Sequence, residues 1–370
     1  MAEGVEEAKS APTWTVEIND ATLLEGFAGE LEKTLPAKES FLEDYNSICE
    51  THGVCPCPYI VPSGGSIMRI ANTKVDLPSW RAGLMALSTI GSKIEELALH
   101  NCELSFQHIE DLILAVEKRG SLPVVKLDYI TIVQAPVGEG EELPDRNSIY
   151  LKLFGDFNVE YLSLKGNNFG DEFCGSESFY KALSENVFVK ALNFADNKIG
   201  DQGAKNILNA CRIAASINEI SLVQNSGVEG ECLDTLVALL LGAEVSAEDN
   251  ATFKNFAKLI GDKNKAIKDS NKKRKKAGLA DLVELGVPAE RIEKVNEVNM
   301  IANRLMKSID LSFCPISSAN FASFVGSMKN EGRVNIAAPE LNMNVVIRGN
   351  KATTGSVSLE EPIAGITFVE

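Results

Sequence analysis

The strongest constraint on this chain is a short motif that recurs seven times: apolar-x-apolar-x-x-(Asn/Cys/Thr)-x-apolar. Clear copies are LALHNCEL from Leu97, LSLKGNNF from Leu162, LNFADNKI from Leu192 and IDLSFCPI from Ile309. Looser copies are MRIANTKV from Met68, VKLDYITI from Val125 and ISLVQNSGV from Ile220. Their start-to-start steps are 29 (68 to 97), 28 (97 to 125), 37 (125 to 162), 30 (162 to 192), 28 (192 to 220) and 89 (220 to 309). The alternating apolar pair predicts a short strand with one buried face. An Asn at the sixth position, where the chain leaves the strand, satisfies loop backbone groups that burial would otherwise orphan. Cys102 and Cys314 hold this place as small buried residues. Amphipathic helices follow, as in Phe106, Ile109, Leu112, Ile113 and Val116. One such unit cannot bury its own face, so neighbours must stack, with a parallel sheet inside and helices outside.

Over roughly Ser66 to Asn330 the chain resembles leucine-rich repeat proteins, and the unit length matches their long ribonuclease-inhibitor type. The resemblance implies an α/β fold, a leucine-rich-repeat solenoid (horseshoe) with a concave parallel sheet and convex helices. The expected organisation is a flexible N-terminal arm over 1–39 and a cap helix with its lead-in over 40–66. Repeats then fill 67–331, with insertions at about 133–158 and 244–306, and 332–370 forms a strand-rich C-terminal cap or tail. Ser40 with Glu43 makes a capping box for a cap helix at 41–50. QAPVGEGEELPDRNS (134–148) reads as an acidic surface loop. Within the larger insertion, KDSNKKRKKAG reads as an exposed polar segment. GVPAERIEKVNEVNMIANRLMKS reads as a helix with Pro288 near its start, and the same insertion has room for a degenerate repeat.

Acidic residues exceed basic ones, 52 to 36, for a formal charge of −16, which argues against a generic nucleic-acid surface. The exception is Lys254 to Lys276, with ten Lys/Arg against two Asp. Its core, Lys272, Lys273, Arg274, Lys275 and Lys276, reads as a solvated loop, a basic finger for an acidic protein such as a tubulin tail or for RNA, or an import signal. The eight cysteines are scattered, which favours reduced thiols in an intracellular setting. The N-terminus has no apolar signal region. The longest apolar run, Thr235 to Ala243, is short for a membrane span. The expected location is the cytoplasm.

No catalytic constellation emerges, so the chain is expected to be a non-enzyme with no cofactor, metal or small-molecule substrate. Cys49, His52, Cys55 and Cys57 offer zinc-ligand types, but at a cramped spacing that a Pro-rich turn after a helix explains as well. His100 and His108 have no Ser or Cys partner in sequence. FADNKIGDQGAKNIL (Phe194 to Leu208) suggests a calcium loop or a phosphate cradle. It fails the first because Lys198 and Ile207 stand where ligands belong, and the second because Ala204 and Lys205 follow Gly203. The concave face is expected to show Arg69, Ala98, Lys126, Ser163, Asn193, Ser221 and Asp310 in one row. The next row is Ala71, His100, Asp128, Lys165, Ala195, Val223 and Ser312. This surface lacks an aromatic platform for single strands and suits a protein partner. Arg69, His100, Lys126, Lys165 and Asn193, with the basic run, are the candidate partner-binding residues.

The lead-in FLEDYNSICETHGVCPCPYI, followed by IEELALHNCEL, resembles the N-terminal part of leucine-rich repeat proteins of cilia, flagella and centrosomes. That resemblance implies a structural component of the axoneme, bound to tubulin or other axonemal subunits. The alternative is a signalling regulator such as a GTPase-activating protein, because Ran GTPase activators share the repeat type and DNKIG (196–200) loosely resembles their post-strand turns. A nuclease inhibitor is disfavoured by the lack of a strongly acidic concave ladder.

Overall fold

A computed structural model describes residues 19–20, 22–33, 40–63, 65–89, 92–133, 145–155, 157–213, 216–276, 281–286, 292–295, 298–301, 303, 306–329, 343–350 and 366–369. The first elements are α1 (Phe27–Glu32), α2 (Phe41–His52), β1 (Pro62–Ser63), β2 (Ile67–Ala71), α3 (Leu77–Leu87), β3 (Glu96–His100), β4 (Glu103–Leu104) and α4 (Phe106–Arg119). Next come β5 (Val124–Asp128), β6 (Thr131–Ile132), α5 (Arg146–Lys152), β7 (Tyr161–Ser163), α6 (Asp171–Cys174), α7 (Glu177–Glu185), β8 (Ala191–Asn193), α8 (Asp201–Ile213) and β9 (Glu219–Ser221). The rest are α9 (Leu233–Leu241), β10 (Ala243–Glu244), α10 (Ala247–Lys276), β11 (Ile292–Val295), β12 (Val298–Ile301), β13 (Ser308–Asp310), α11 (Ser318–Met328), β14 (Met343–Val346) and β15 (Ile366–Val369).

The main sheet runs β1-β2-β3-β5-β7-β8-β9-β13-β14-β15. It is parallel from β2 onward, and β1 is an antiparallel edge. Its register follows the motif. Met68, Leu97, Val125, Leu162, Leu192, Ile220, Ile309 and Val345 pair across it in one row, and all are buried. A slip of one residue would turn this whole row outward, so burial fixes the register. After Ile309 the row enters an eighth copy that sequence reading misses, Val345-Val346-Ile347-Arg348-Gly349-Asn350, and Val345 pairs on with Phe368 of β15. Residues 344–350 of the region read as a cap or tail therefore continue the array.

The sixth position forms a ladder that ties six of the repeats to the one before; in the Val125 copy the place is held by Ile130, whose amide donates to Asn167 Oδ1 (2.8 Å). Cys102 Sγ donates to Ile70 O (3.4 Å), and the Nδ2 of Asn167 donates to Leu127 O (2.6 Å). Asn197 reaches Leu164 O (3.1 Å) and Asn225 reaches Phe194 O (2.9 Å). Cys314 Sγ reaches Leu222 O (3.2 Å) and Asn350 reaches Leu311 O (3.0 Å). In each case the acceptor is the third-position carbonyl of the preceding repeat.

Helices and sheet share one apolar core, in which Tyr150, Phe154, Phe169, Phe173, Phe179 and Phe194 pack edge-on or tilted at 4.8 to 5.9 Å around α6 and α7. Full burial of each Phe is worth roughly 1.5–3 kcal/mol. Consecutive helices α2, α3 and α4 pack on one another, as do α8, α9 and α11. No helix among the described residues is long and apolar enough to cross a membrane.

Four expectations change. The arm over 1–39 is in part docked: Leu24, Phe27 and Leu31 are buried and α1 packs on α4. The cause is a buried cation, since Arg81 bonds Asp111 (2.7 Å) and Leu24 O (3.0 Å) beneath the Phe27 ring. The segment expected as a helix over 286–308 instead holds β11 and β12, with β12 paired antiparallel to both β11 and β10 in a separate sheet. Ile292, Val295, Val298 and Ile301 are spaced by three, which reads as helical. A hairpin register pairs Val295 with Val298 and Ile292 with Ile301 just as well. Pro288 lies outside the described residues, and β9 pairs directly with β13, so no described strand of this insertion enters the main sheet. The basic run is no loop: it ends the 30-residue α10, anchored by buried Phe256 and Ile260 on Val187 and Phe188. Cations there also suit the negative end of the helix dipole. Finally, the 133–158 interruption contains α5, started by Asp145, which accepts from Asn147 N and Ser148 N (3.1 and 3.2 Å). Residues 134–144 of the expected loop lie outside the described residues.

Candidate functional site

Strand alternation sends every second side chain away from the core, and parallel pairing lines these side chains into rows. Arg69, Ala98, Lys126, Ser163, Asn193, Ser221, Asp310 and Val346 are mutual partners across the sheet. Ala71, His100 and Asp128 form the next row. Backbone bonds carry it on, because the residues after it donate to Lys165 O, Ala195 O, Val223 O, Ser312 O and Arg348 O of successive repeats. A third row, absent from the sequence reading, precedes both: Ile67, Glu96, Val124, Tyr161, Ala191, Glu219, Ser308 and Asn344.

That third row changes the electrostatics. The cations expected to mark this face are matched within it. Glu96 lies 2.9 Å from the Lys126 ammonium and 3.8 Å from the Arg69 guanidinium. Lys126 also sits over the Tyr161 ring (5.8 Å) and Lys165 over the Tyr129 ring (5.6 Å). His100 meets Tyr129 edge-on at 5.1 Å. Asp128 accepts from Ser163 Oγ (2.5 Å), and Asn193 donates to Ser163 Oγ (3.1 Å) while accepting from Ala195 N (2.9 Å). These side chains hold one another in place before any partner arrives.

Beside the rows runs a line of left-handed residues, one per repeat: Asn72, Asn101, Tyr129, Gly166, Asp196, Gln224, Phe313 and Gly349, with φ between 51° and 69°. This turn sends the sixth-position side chain inward, at a cost of about 1–2 kcal/mol for each residue that is not glycine. The two glycines have a second role. A Cβ on Gly166 would overlap the Tyr129 ring, and one on Gly349 would overlap Phe313. Tyr129 lies across Gly166 of the following repeat and donates to the Asp196 carboxylate of the repeat after that (2.5 Å). That bond, with some burial, pushes the phenol up to about 12, so it remains a donor. Phe313 is 58% exposed.

Phe194 to Leu208 now has a physical assignment. The amides of Gly200 and Gly203, where a phosphate would sit, both donate to Asp171 Oδ1 (2.8 Å each). Asp201 does the same for the start of α9, accepting from Glu229 N, Gly230 N and Cys232 N. The starts of α8 and α9 are thus each occupied by a carboxylate of the preceding repeat.

His108 is buried on α4, its ring between Ser105 Oγ (2.7 Å) and Val75 O (2.9 Å), and burial pushes it down to about 4. His52 faces Glu30 at 4.0 Å. Cys49 and Cys57 are buried and Cys55 is exposed. Among the described residues no three His, Cys, Asp or Glu side chains converge as metal ligands. Lys272 pairs with Asp269 (2.9 Å), and Arg274 lines two cavities beside α10. Lys275 and Lys276 are exposed at the helix end, and the Lys273 side chain lies outside the described residues. The basic run is thus carried on α10 and the other candidates on the sheet strands, and Arg274 lines a cavity with Pro123, Glu160, Lys190 and Asn218, which stand just before β5, β7, β8 and β9.

The Leucine Rich repeat family model matches residues 185–208, the end of α7 through β8 into α8. The match supports a leucine-rich repeat protein and, with it, a role in protein–protein interaction. No curated protein matches the chain.

Proposed function

We propose that the chain is a non-enzymatic scaffold built as a ribonuclease-inhibitor-type horseshoe, whose inner sheet face binds a protein partner. The observation that carries this reading is the open face itself, with side-chain rows in continuous register across nine parallel strands. Its polar groups are already oriented by one another, so little side-chain freedom is lost on docking. The resemblance of the lead-in over Phe41 to Ile60 supports a finer reading: a structural component of the ciliary or flagellar axoneme, with tubulin or other axonemal subunits as partners.

Tagging the full chain in a ciliated cell, with proximity labelling, tests the axonemal reading. Axonemal signal and labelled axonemal proteins are expected, and a diffuse signal counts against it. A panel of small GTPases tests the competing regulator reading. Acceleration of GTP hydrolysis would replace the scaffold with a GTPase activator.

A further inference from the structure

A second surface lies on α10, where the chain binds a piece of itself. Residues Asp281–Gly286, which belong to no helix or strand, lie along the helix. Asn264 donates to Leu285 O (2.9 Å) and accepts from Leu285 N (2.7 Å). Asn271 does the same with Leu282 (2.8 and 2.7 Å). Each carboxamide thus reproduces the two-bond exchange that one β residue makes with another.

The spacing fits this use. Seven residues of helix advance about 10.5 Å. Three residues of extended chain cover about 10 Å. Asn264 and Asn271 also lie two turns apart, on the same side of the helix. Recognition through backbone groups is indifferent to sequence, so selectivity falls to the side chains. Leu285 packs on Val187, Phe188, Phe256 and Ile260, and Glu284 pairs with Lys268 at 3.2 Å.

The segment fills this groove only in part. Val283 is 86% exposed. Leu282 lies between two cavities of about 450 and 520 Å³, lining both together with Arg274, Ser121 and Pro123. The first cavity also has Lys33, Lys118 and Arg119 against Glu95. The second adds Lys190 against Glu160. Apart from the acidic segment itself, the walls carry more cations than carboxylates.

We propose that the groove along α10 is a peptide-binding site for an extended acidic segment of a partner protein with two leucines three residues apart. Asp281–Gly286 is its occupant in cis, and a longer partner segment displaces it and fills the cavities on either side. This groove lies on α10 and the N-terminal edge of the sheet and uses none of the side-chain rows through Arg69 and Ala71, so its failure would leave the reading of those rows intact.

The test uses the full chain and a fluorescent peptide, LADLVELGV, copied from residues 279–287. The variant Leu282→Ser/Leu285→Ser loosens the cis segment. It should bind the peptide at least ten-fold more tightly than the unaltered chain. Adding Asn264→Ala/Asn271→Ala should lower that affinity ten-fold or more, as should replacing both peptide leucines by alanine. Equal binding to the loosened and unaltered chains, or binding indifferent to the two asparagines, overturns the proposal. Should the loosened variant lose helical signal, hydrogen exchange on the unaltered chain decides. Excess peptide should speed exchange at the Leu282 and Leu285 amides, and unchanged rates overturn the proposal.

Discussion

Asn197 is the rung on which the repeat account can be tested most sharply for stability. Its Oδ1 accepts from the amides of Asn167 and Phe169 (3.0 Å each), both in the preceding repeat. Its Nδ2 donates to Leu164 O (3.1 Å), Phe194 O (2.9 Å) and Ala195 O (3.1 Å). Two of these carbonyls keep another donor in Asn197→Ala: Phe194 O has Asn225 Nδ2, and Ala195 O has Gly166 N. The two amides have no such reserve, and each buried orphan costs about 1–3 kcal/mol. Adding the void left by the side chain, Asn197→Ala should lose about 3–5 kcal/mol in urea unfolding. Asn197→Cys should lose less, because a thiol at the same place in Cys102 and Cys314 still reaches the preceding carbonyl (3.4 and 3.2 Å). A folded Asn197→Ala chain within about 1 kcal/mol of the parent would refute the ladder as a source of stability.

Three further outcomes are expected. Gly166→Ala combines a left-handed φ of 69° with overlap on the Tyr129 ring, so it should cost about 2 kcal/mol or more, and Tyr129→Ala should restore part of the loss in a double-mutant cycle. Asp111→Ala strands the buried Arg81 cation, which should cost about 3–5 kcal/mol and speed amide exchange in α1. His108 stays neutral in the fold because burial holds it at about 4, whereas the unfolded chain protonates it near 6.5. Its contribution is therefore full above pH 6.5, is lost as pH falls towards 4, and amounts to about 3 kcal/mol. His108→Gln should remove that part of the slope in a stability–pH profile.

The repeats were legible because one physical demand, an alternating buried pair followed by an inward polar turn, returns at a fixed period. The same demand hid the eighth copy. Val345 to Asn350 satisfies it with Gly-Asn at the turn, but no helix-spaced apolar face follows in sequence to announce a unit. The basic run misled for a different reason. Self-repelling lysines read as a loop, while the helix beneath them is secured by Phe256 and Ile260 on residues some seventy positions earlier in the chain, Val187 and Phe188. On the sheet face, the rows through Arg69 and Ala71 follow from alternation alone. Glu96 escaped because it precedes the first core residue, and only the register shows it between Arg69 and Lys126. Asn264 and Asn271 gave no signal, since nothing local says that the chain returns along α10 at Leu282 and Leu285.

The scaffold reading predicts that a partner is held by the open sheet face. The direct measurement compares the tagged full chain with Lys126→Glu/Ser221→Arg, two positions in one side-chain row, after confirming equal thermal stability. In ciliated cells the unaltered chain should lie along the axoneme and label axonemal proteins, and the variant should lose both. Retention and labelling that are unchanged in the variant, or a diffuse unaltered chain, would contradict the account.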